Sequence, residues 1–284
     1  MIGLGKLGGG AVDYGSDLDL VLVYDHNHEI PSTKTAAEFY GQAAELFVTA
    51  LSSMTRDGSI YRVDLRLRPY GKNGQSVISA AAFADYVRDS ADIWEWLAYV
   101  KVRAVAGDNE LARNVEKTVR ETIHARAAAA DVRELARETR RVRGLLEKEK
   151  SGGRRSKDID IKYGTGGMLD VYFAMRYLQL RDDVPDRSDD RSTKFTLNEL
   201  ARRGSLSPSD HESFLYGYRF MSELDHNLRL TVGRTTRLPL ANHAALEFVS
   251  RRMNLASESA LLEQLTLHRL NIRSAFDNVL GSAL

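Results

Sequence analysis

The residues best suited to chemistry are two aspartates at alternate positions of a predicted strand. Asp17 and Asp19 stand in the sequence GSDLDL, and residues 18–24 form an apolar stretch typical of a buried strand that follows a turn. Because side chains alternate along a strand, both carboxylates point to the same face. They repel each other unless a cation lies between them, and Mg²⁺ prefers such oxygen ligands. The pair therefore predicts a site for a divalent cation.

A third aspartate, Asp64, lies in an alternating stretch at residues 59–67 that predicts another strand. Carboxylates from neighbouring strands can hold two metal ions about 3.5–4 Å apart, which bind the attacking and leaving oxygens in phosphoryl or nucleotidyl transfer. The alternative is that Asp17 caps a turn and Asp19 pairs with an arginine. The Gly-Ser before Asp17 and the second acidic strand favour the metal site, so these three aspartates are the predicted catalytic and metal-binding residues.

Glycines before the acidic strand are candidate phosphate-binding residues. Gly5, Gly8 and Gly9 belong to the sequence GLGKLGGG, where the lack of side chains lets backbone amides approach a triphosphate. The sequence matches neither the P-loop nor the dinucleotide-binding fingerprint. The hydroxyl of Ser16 is a further candidate ligand of phosphate.

Four basic side chains complete the candidate nucleotide site. Arg66 shares the face of Asp64 and either pairs with it or contacts phosphate. Lys101 and Arg103 follow an aromatic-rich helix and suit a triphosphate, although a solvated helix face has the same spacing. Lys162 precedes a glycine pair at a predicted helix start, where exposed amides attract anions and where a plain turn is the alternative.

Composition limits the class of protein. The chain has 284 residues, 40 Lys and Arg against 39 Asp and Glu, a formal net charge of +1 and no cysteine. Hydrophobic residues make up 43% of the chain and charged residues 28%, which argues against a largely disordered chain, and the balance of charges argues against a uniformly basic nucleic-acid-binding protein. Thiolate metal sites and a cysteine nucleophile are excluded. No apolar run approaches the roughly 18 residues of a membrane span, so we expect a cytoplasmic protein with neither nucleic acid nor membrane as its partner.

The pattern of elements predicts an α+β protein with two domains. Residues 1–107 mix strand and helix signals and suggest a mixed sheet with flanking helices, and residues 108–284 suggest an α-helical bundle. The polar connector at residues 182–192 contains five aspartates, lacks the spacing of an EF-hand and is expected to be a solvated loop. Helices are predicted at residues 32–52, 80–88, 93–100, 110–126, 132–150, 168–181, 196–203, 208–231, 243–253 and 258–280.

The chain opens on what looks like the end of a strand, at Met1 and Ile2. An isolated strand of two residues would be poorly anchored. We therefore expect either a missing upstream segment or a misplaced start.

Several blocks of sequence occur in an order that one enzyme family shares. They are GLGKLGG at residues 3–9 with SDLDL at 16–20, YRVDLRLRPYG at 61–71, the segment 94–108 with its tryptophans and basic residues, and DIKYGTGGMLD at 160–170. The first three resemble the nucleotidyltransferase core of glutamine synthetase adenylyltransferase, and the last resembles the start of that family's helical domain. Together they span most of the chain.

The resemblance implies an activity in the regulation of nitrogen assimilation. The family enzyme fuses two similar halves, each a nucleotidyltransferase domain followed by a helical domain, and this chain covers one such half. One half transfers AMP from ATP to a tyrosine of glutamine synthetase, and the other removes AMP by phosphorolysis under the control of PII-type signal proteins. By resemblance, Asp17, Asp19 and Asp64 bind Mg²⁺ and catalyse the reaction, while residues 3–9 and Ser16 hold the phosphates of ATP.

Two departures from the family pattern keep alternatives open. Ala11 and Tyr172 stand where the family usually has glutamate. One alternative is uridylyl transfer to a PII-type protein by a related core. Another is a regulatory module that binds nucleotide or glutamine synthetase without catalysis. The direction of adenylyl transfer is also open, because both halves of the family share these motifs.

Overall fold

The protein divides into two packed units in this computed structural model, which describes residues 1–281 apart from positions 14, 27–29, 31–32, 57, 59 and 151–157. The first unit comprises Met1–Ala129 and Pro185–Ser192, and the second comprises Ala130–Val184 and Thr193–Leu284. A small mixed sheet in the first unit and helices in the second confirm the predicted α+β class. The first unit extends beyond residue 107, and the domain limits drawn there stay a prediction.

A mixed sheet organises the first unit. Its central strand β2 pairs in parallel with β3 and β4 and antiparallel with β1, and β1 pairs antiparallel with β5. The apolar part of β2 is buried, whereas Asp17 at the start of the strand is exposed. The strands are β1 (Ile2–Gly3), β2 (Asp17–Tyr24), β3 (Arg62–Asp64), β4 (Val77–Ser79) and β5 (Arg103–Ala104).

The two-residue strand β1 is well anchored, contrary to expectation. Ile2 faces Val21 on one side and Ala104 on the other, and both β1 residues are buried. The terminal amine of Met1 donates a hydrogen bond to the carbonyl of Ala106 at 2.7 Å. Pairing on both edges supplies the backbone partners that an isolated strand would lack.

The strand predicted at residues 59–67 is much shorter in the structure. It ends at Asp64 because the Asp64 carboxylate accepts a hydrogen bond from the backbone N–H of Arg66 at 2.8 Å. Such a side-chain contact competes with sheet pairing and forms a turn. The local turn thus places the two charged side chains together at the end of β3.

Helices of the first unit cover the sheet, with Leu20, Leu22, Tyr24, Ala44 and Val77 in one core cluster. The helix predicted from residue 32 begins at Ala36, because Thr35 and Glu38 form a reciprocal capping box there. Residue 32 itself lies outside the described residues. The helices are α1 (Gly5–Gly8), α2 (Ala36–Ser52), α3 (Ala80–Asp89), α4 (Ile93–Tyr99) and α5 (Asn109–Ala129).

The second unit is a helical bundle around α7, whose side chains are buried on nearly every face. A helix that is buried on nearly every face lies in a core, and α6, α8, α9 and α11 pack against it. None of the helices in the described part of the chain is long and apolar enough to cross a membrane. The elements of the second unit are α6 (Val132–Lys150), β6 (Ile159–Asp160), α7 (Met168–Arg181), α8 (Thr193–Arg202), α9 (Pro208–Thr231), β7 (Arg237–Leu238), α10 (His243–Arg252) and α11 (Glu258–Gly281).

Candidate functional site

The sheet register brings two of the predicted aspartates side by side. In the parallel pair of β2 and β3, Asp19 lies opposite Asp64 and Asp17 lies opposite Arg62. Neighbouring strands are about 4.8 Å apart, so the carboxylates of Asp19 and Asp64 lie within reach of one ligand. Asp17 is exposed, whereas Asp19 and Asp64 are half-buried. The three aspartates lie at one end of the sheet and are together called the acidic corner below.

Arg66 pairs with Asp64 in this structure, which is one of the two roles predicted for it. The Arg66 Nε donates to both carboxylate oxygens of Asp64, at 3.0 and 2.9 Å, and its Nη2 makes a further close contact. Partial burial by itself would raise the pKa of Asp64, but the hydrogen bonds from Arg66 outweigh it and hold that pKa below its usual range. Asp64 is therefore ionised at neutral pH, and the Arg66 side chain that neutralises it remains 62% exposed.

The predicted glycine-rich turn is a single helical turn that packs on Asp19. Gly5 has φ +54°, and a Cβ there would overlap the Oδ2 atom of Asp19. The backbone N–H of Leu4 donates to the carbonyl of Asp19 at 2.9 Å. A Cβ on Gly8 would overlap the carbonyl oxygen of Lys101. Both glycines therefore have a packing role, and their contact with phosphate stays a prediction.

Ser16 lies directly before the acidic strand and is buried. Its Oγ accepts a hydrogen bond from the backbone N–H of Asp13 at 3.0 Å, and its own N–H donates to the Asp13 carbonyl at 2.9 Å. These two bonds form a local turn that leads the chain into β2. The predicted phosphate contact of Ser16 remains a prediction.

The two basic residues after α4 are placed differently. Arg103 is half-buried and its Nη1 lies 3.5 Å from the position that a Cβ on Gly10 would take, so its guanidinium borders the glycine turn. Lys101 is only 2% exposed, and its Nζ donates to the Oδ2 atom of Asp186 at 2.8 Å. The structure thus gives Lys101 a carboxylate partner, and a contact with phosphate would require this ion pair to break.

Lys162 belongs to the second unit, in the turn between β6 and α7. Its Nζ lies 5.1 Å from the ring centre of Tyr163, a cation–π distance. Its backbone N–H and that of Tyr163 both donate to the carboxylate of Asp160. The plain-turn alternative explains this backbone arrangement, and nucleotide binding by Lys162 stays a prediction.

Sequence reasoning missed a buried charged cluster in the second unit. Arg143 on α6 pairs with Asp170 on α7, and both side chains are almost inaccessible. Arg143 also donates to the carbonyl of Gly164 at 2.9 Å, while Asp170 accepts from the N–H of Gly166 at 2.7 Å. These bonds fix the glycine-rich turn before α7. The available signal was the arginine itself, which lies between apolar positions of the predicted α6 stripe.

The acidic corner has the carboxylate oxygens that a divalent cation prefers, but in this structure they are not gathered around one point. Among the residues that the structure describes, no group of three or more His, Asp or Glu side chains is gathered to hold a metal ion. Arg66 already fills the coordinating edge of Asp64. A cation could use the oxygens of Asp17, Asp19 and Asp64 only if Arg66 turned away, and the exposure of Arg66 allows that movement.

Comparison with protein families gives two matches, one for each part of the chain. Residues 1–118 match the family model for glutamate-ammonia ligase adenylyltransferase, and residues 140–280 match the model for GlnD PII-uridylyltransferase. The two matches support the adenylyltransferase family, each over its own part of the chain. Glutamate-ammonia ligase is another name for glutamine synthetase, so the family resemblance drawn from the sequence blocks is confirmed. The chain is therefore of the nucleotidyltransferase type associated with regulation of glutamine synthetase.

The two departures from the adenylyltransferase pattern now have structural positions. Ala11 is half-buried after the glycine turn, and its N–H donates to the carbonyl of Lys6 at 2.8 Å. Tyr172 lies on α7 and its ring packs edge-on against Tyr218 at 5.9 Å. Burial raises the pKa of Tyr172 well above its usual value, so the phenol is neutral at physiological pH. Neither residue can supply the negative charge of a glutamate.

Proposed function

We propose that this chain transfers an adenylyl group between a nucleotide and a tyrosine hydroxyl of glutamine synthetase, with Mg²⁺ at the acidic corner. The observation that carries the proposal is the register that sets Asp19 beside Asp64, with the glycine turn packed on Asp19. The family match over residues 1–118 supports the adenylyl group and the protein substrate. Control by a PII-type signal protein is part of the same proposal, supported by the match over residues 140–280.

The carboxylates of Asp17, Asp19 and Asp64 are the proposed ligands of the cation. A divalent cation, when bound, supplies positive charge that neutralises the phosphates and lowers the pKa of an attacking hydroxyl. In this proposal Arg66 leaves Asp64 and turns its exposed guanidinium to the nucleotide. This exchange is possible because a guanidinium binds a phosphate in the same bidentate geometry in which it binds a carboxylate. Arg103, beside the glycine turn, is placed to contact phosphate in the same way.

The proposed transfer balances as a displacement at phosphorus. In the forward direction, the tyrosine oxygen forms a bond to the α-phosphorus of ATP while the bond to pyrophosphate breaks, and the hydroxyl proton passes to solvent. In the reverse direction, inorganic phosphate attacks the phosphorus of AMP-tyrosine, which releases ADP and restores the hydroxyl. The chain's own residues orient the nucleotide in both directions through the same acidic corner.

A second candidate is uridylyl transfer to a PII-type protein. The observation that favours it is the family match of residues 140–280 with PII-uridylyltransferase. The chemistry at the phosphorus is the same, and only the nucleotide base and the protein substrate differ. Side-by-side incubation with labelled ATP and labelled UTP, each with both protein targets, separates the two candidates.

The decisive experiment uses α-labelled ATP, Mg²⁺ and purified glutamine synthetase. We expect label on glutamine synthetase with the wild-type chain, or release of labelled ADP from pre-labelled glutamine synthetase when phosphate is added. Asp19→Asn should abolish turnover while the thermal melt is preserved, because it removes one charge from the corner. Asp89→Asn, which removes an exposed carboxylate paired with Arg88 on α3, is the matched control and should be fully active.

Two results would contradict the proposal. Full Mg²⁺-dependent activity of Asp19→Asn would refute the assignment of the acidic corner. Nucleotide binding by the wild-type chain without any labelled product, in the presence of an active protein target, would instead support the non-catalytic module.

A further inference from the structure

The polar segment Pro185–Ser192, called the clamp below, is only in part the solvated loop that was predicted for residues 182–192. Asp189 and Asp190 are exposed as expected, whereas two other charged residues are buried. The clamp packs within the first unit, although the chain enters it from α7 and leaves it into α8. Asp186 is 7% exposed and Arg191 is 8% exposed. Burying charged side chains is costly unless each has a partner, so the contacts of these two residues show what the clamp holds.

The clamp grips the turn that joins α4 to β5. The Nζ of Lys101 donates to Asp186 Oδ2 at 2.8 Å and to the carbonyl of Arg191 at 3.1 Å. The guanidinium of Arg191 donates to the carbonyl of Val102 at 3.0 Å and to Glu116 Oε1 at 2.6 Å. The other carboxylate oxygen of Glu116 accepts from the N–H of Ala104 at 2.6 Å. Lys101, Val102 and Ala104 are thus held by one connected network.

The turn between α4 and β5 packs in turn against the glycine-rich turn. The carbonyl of Lys101 lies against Gly8, so closely that no side chain fits there. The carbonyl of Arg191 lies 3.4 Å from the position of a Cβ on Gly9. Arg103 belongs to β5, which pairs with β1. A continuous set of contacts therefore leads from the clamp to the glycine turn, and the glycine turn rests on Asp19.

Stability is an insufficient reason for this arrangement. A buried ion pair gains little or nothing over an apolar pair of equal volume, because desolvation offsets the attraction of the charges. What charged partners add is a defined geometry at each end. Lys101 and Arg191 are the central members of the network, and their carbonyl oxygens are the atoms that lie against Gly8 and Gly9.

We propose that the clamp is a positioning element of the nucleotidyl-transfer site, with Asp186 and Arg191 as positioning residues for the glycine turn. The proposal rests on the function proposed above and adds the clamp residues to its site. The clamp touches the glycine turn directly and reaches Asp19 only through it. Loosening the clamp should therefore weaken binding of the nucleoside triphosphate more than it slows the transfer step.

The test compares Asp186→Asn with Asp225→Asn. Asp225 forms an equally buried ion pair with Arg229 on α9, in the second unit, at 3.0 Å. Both variants remove a buried carboxylate that pairs with a buried cation, so both should lose stability to a similar extent. Arg191→Lys is a milder variant that keeps the charge but loses the planar fork that joins Val102 to Glu116. Asp186→Glu keeps the carboxylate and should partly rescue the site.

Two measurements are made on each full-length variant below its melting temperature. One is the Kd for ATP with Mg²⁺, with KM and kcat for labelled transfer. The other is amide hydrogen exchange of residues 5–11. We expect Asp186→Asn and Arg191→Lys to raise Kd and KM on the order of tenfold to a hundredfold, the range for a small displacement of a binding group, with a smaller change in kcat. Exchange in residues 5–11 should rise in these variants and stay unchanged in Asp225→Asn.

The outcomes separate this proposal from the proposed function. Equal effects of Asp186→Asn and Asp225→Asn on Kd and on exchange would overturn the positioning role, while wild-type transfer activity would stand. A wild-type chain that binds no nucleoside triphosphate would refute the proposed function and the nucleotide role of the clamp together. Unchanged amide hydrogen exchange of residues 5–11 in Asp186→Asn would overturn the positioning role of the clamp, and this measurement does not depend on transfer activity.

Discussion

Replacing Gly5 by alanine should displace the Asp19 carboxylate without replacing any titratable residue. Gly5 has φ +54°, and a Cβ built there overlaps Asp19 Oδ2. Gly10 supplies a matched control, because its φ of +68° is similar and the nearest atom to its added Cβ is Arg103 Nη1 at 3.5 Å, an ordinary contact. The two variants share the backbone strain and differ in the overlap with the carboxylate.

The structure sets the size of both effects. A non-glycine residue in the left-handed region costs about 1–2 kcal/mol, so Gly5→Ala and Gly10→Ala should lose similar amounts of stability. The Asp19 carboxylate is half-buried and can swing away from the new methyl group, which limits any extra loss in Gly5→Ala. A displacement of about 1 Å at a catalytic group can slow a reaction on the order of a hundredfold. We therefore expect a large loss of transfer rate in Gly5→Ala alone.

The assay pairs urea denaturation with the single-turnover rate of labelled adenylyl transfer. The expected result is two similar losses in the free energy of unfolding and a selective loss of rate in Gly5→Ala. Equal rates in the two variants would refute the reasoning, because the contact between Gly5 and Asp19 would then have no bearing on the chemistry. A loss of stability in Gly5→Ala that exceeds the loss in Gly10→Ala would show that the overlap destabilises the fold instead of moving the Asp19 carboxylate.

Two further predictions concern buried charges. Arg143→Met should lower the free energy of unfolding by about 3–5 kcal/mol, because it removes the buried arginine that pairs with the buried Asp170 carboxylate. Arg141→Met on the same helix breaks an exposed pair with Glu138 and should cost at most about 1 kcal/mol in the same urea titration, so equal losses would contradict the assignment. Burial by itself would raise the pKa of Glu116, but hydrogen bonds from the Ala104 amide and from Arg191 outweigh it and lower that pKa. The ionised carboxylate of Glu116 therefore stabilises the fold fully above the unfolded pKa of about 4.3, and this stabilisation is lost as the pH falls through the lower folded pKa. The difference in the free energy of unfolding between wild type and Glu116→Gln should be constant near neutral pH and should narrow as the pH falls below about 4.3; a difference that stays constant there would contradict this sign.

The acidic strand was predictable because its signal is local. Alternation along a strand places Asp17 and Asp19 on one face whatever the strand pairs with. The position of Asp64 beside Asp19 depends instead on the register between β2 and β3, which a single sequence does not reveal. The same limit applies to β4 and β5, strands of three and two residues that exist only because neighbours supply their hydrogen bonds.

Arg66 shows how a sequence can predict a set of partners without selecting one. Its position two residues after Asp64 allows it to bind either that carboxylate or a phosphate, and both are bidentate anions to a guanidinium. In this structure the backbone N–H of Arg66 already donates to Asp64, which brings the side chain to the same carboxylate at little entropic cost. A local contact therefore decides the state seen here.

The burial of Asp186 and Arg191 in the clamp was missed for a related reason, since their partners are far away in sequence. Five aspartates within residues 182–192 suggest a solvated loop, and nothing local distinguishes Asp186 from the others. Its burial follows from Lys101, a lysine 85 positions earlier, and that of Arg191 follows from Glu116, 75 positions earlier. Each member of these pairs is costly to bury alone and acceptable when paired, so composition predicts exposure for every one of them. Lys101 shows the same limit, because its sequence position allowed a phosphate contact or a solvated helix face and did not indicate the ion pair with Asp186; its contact with phosphate stays a prediction.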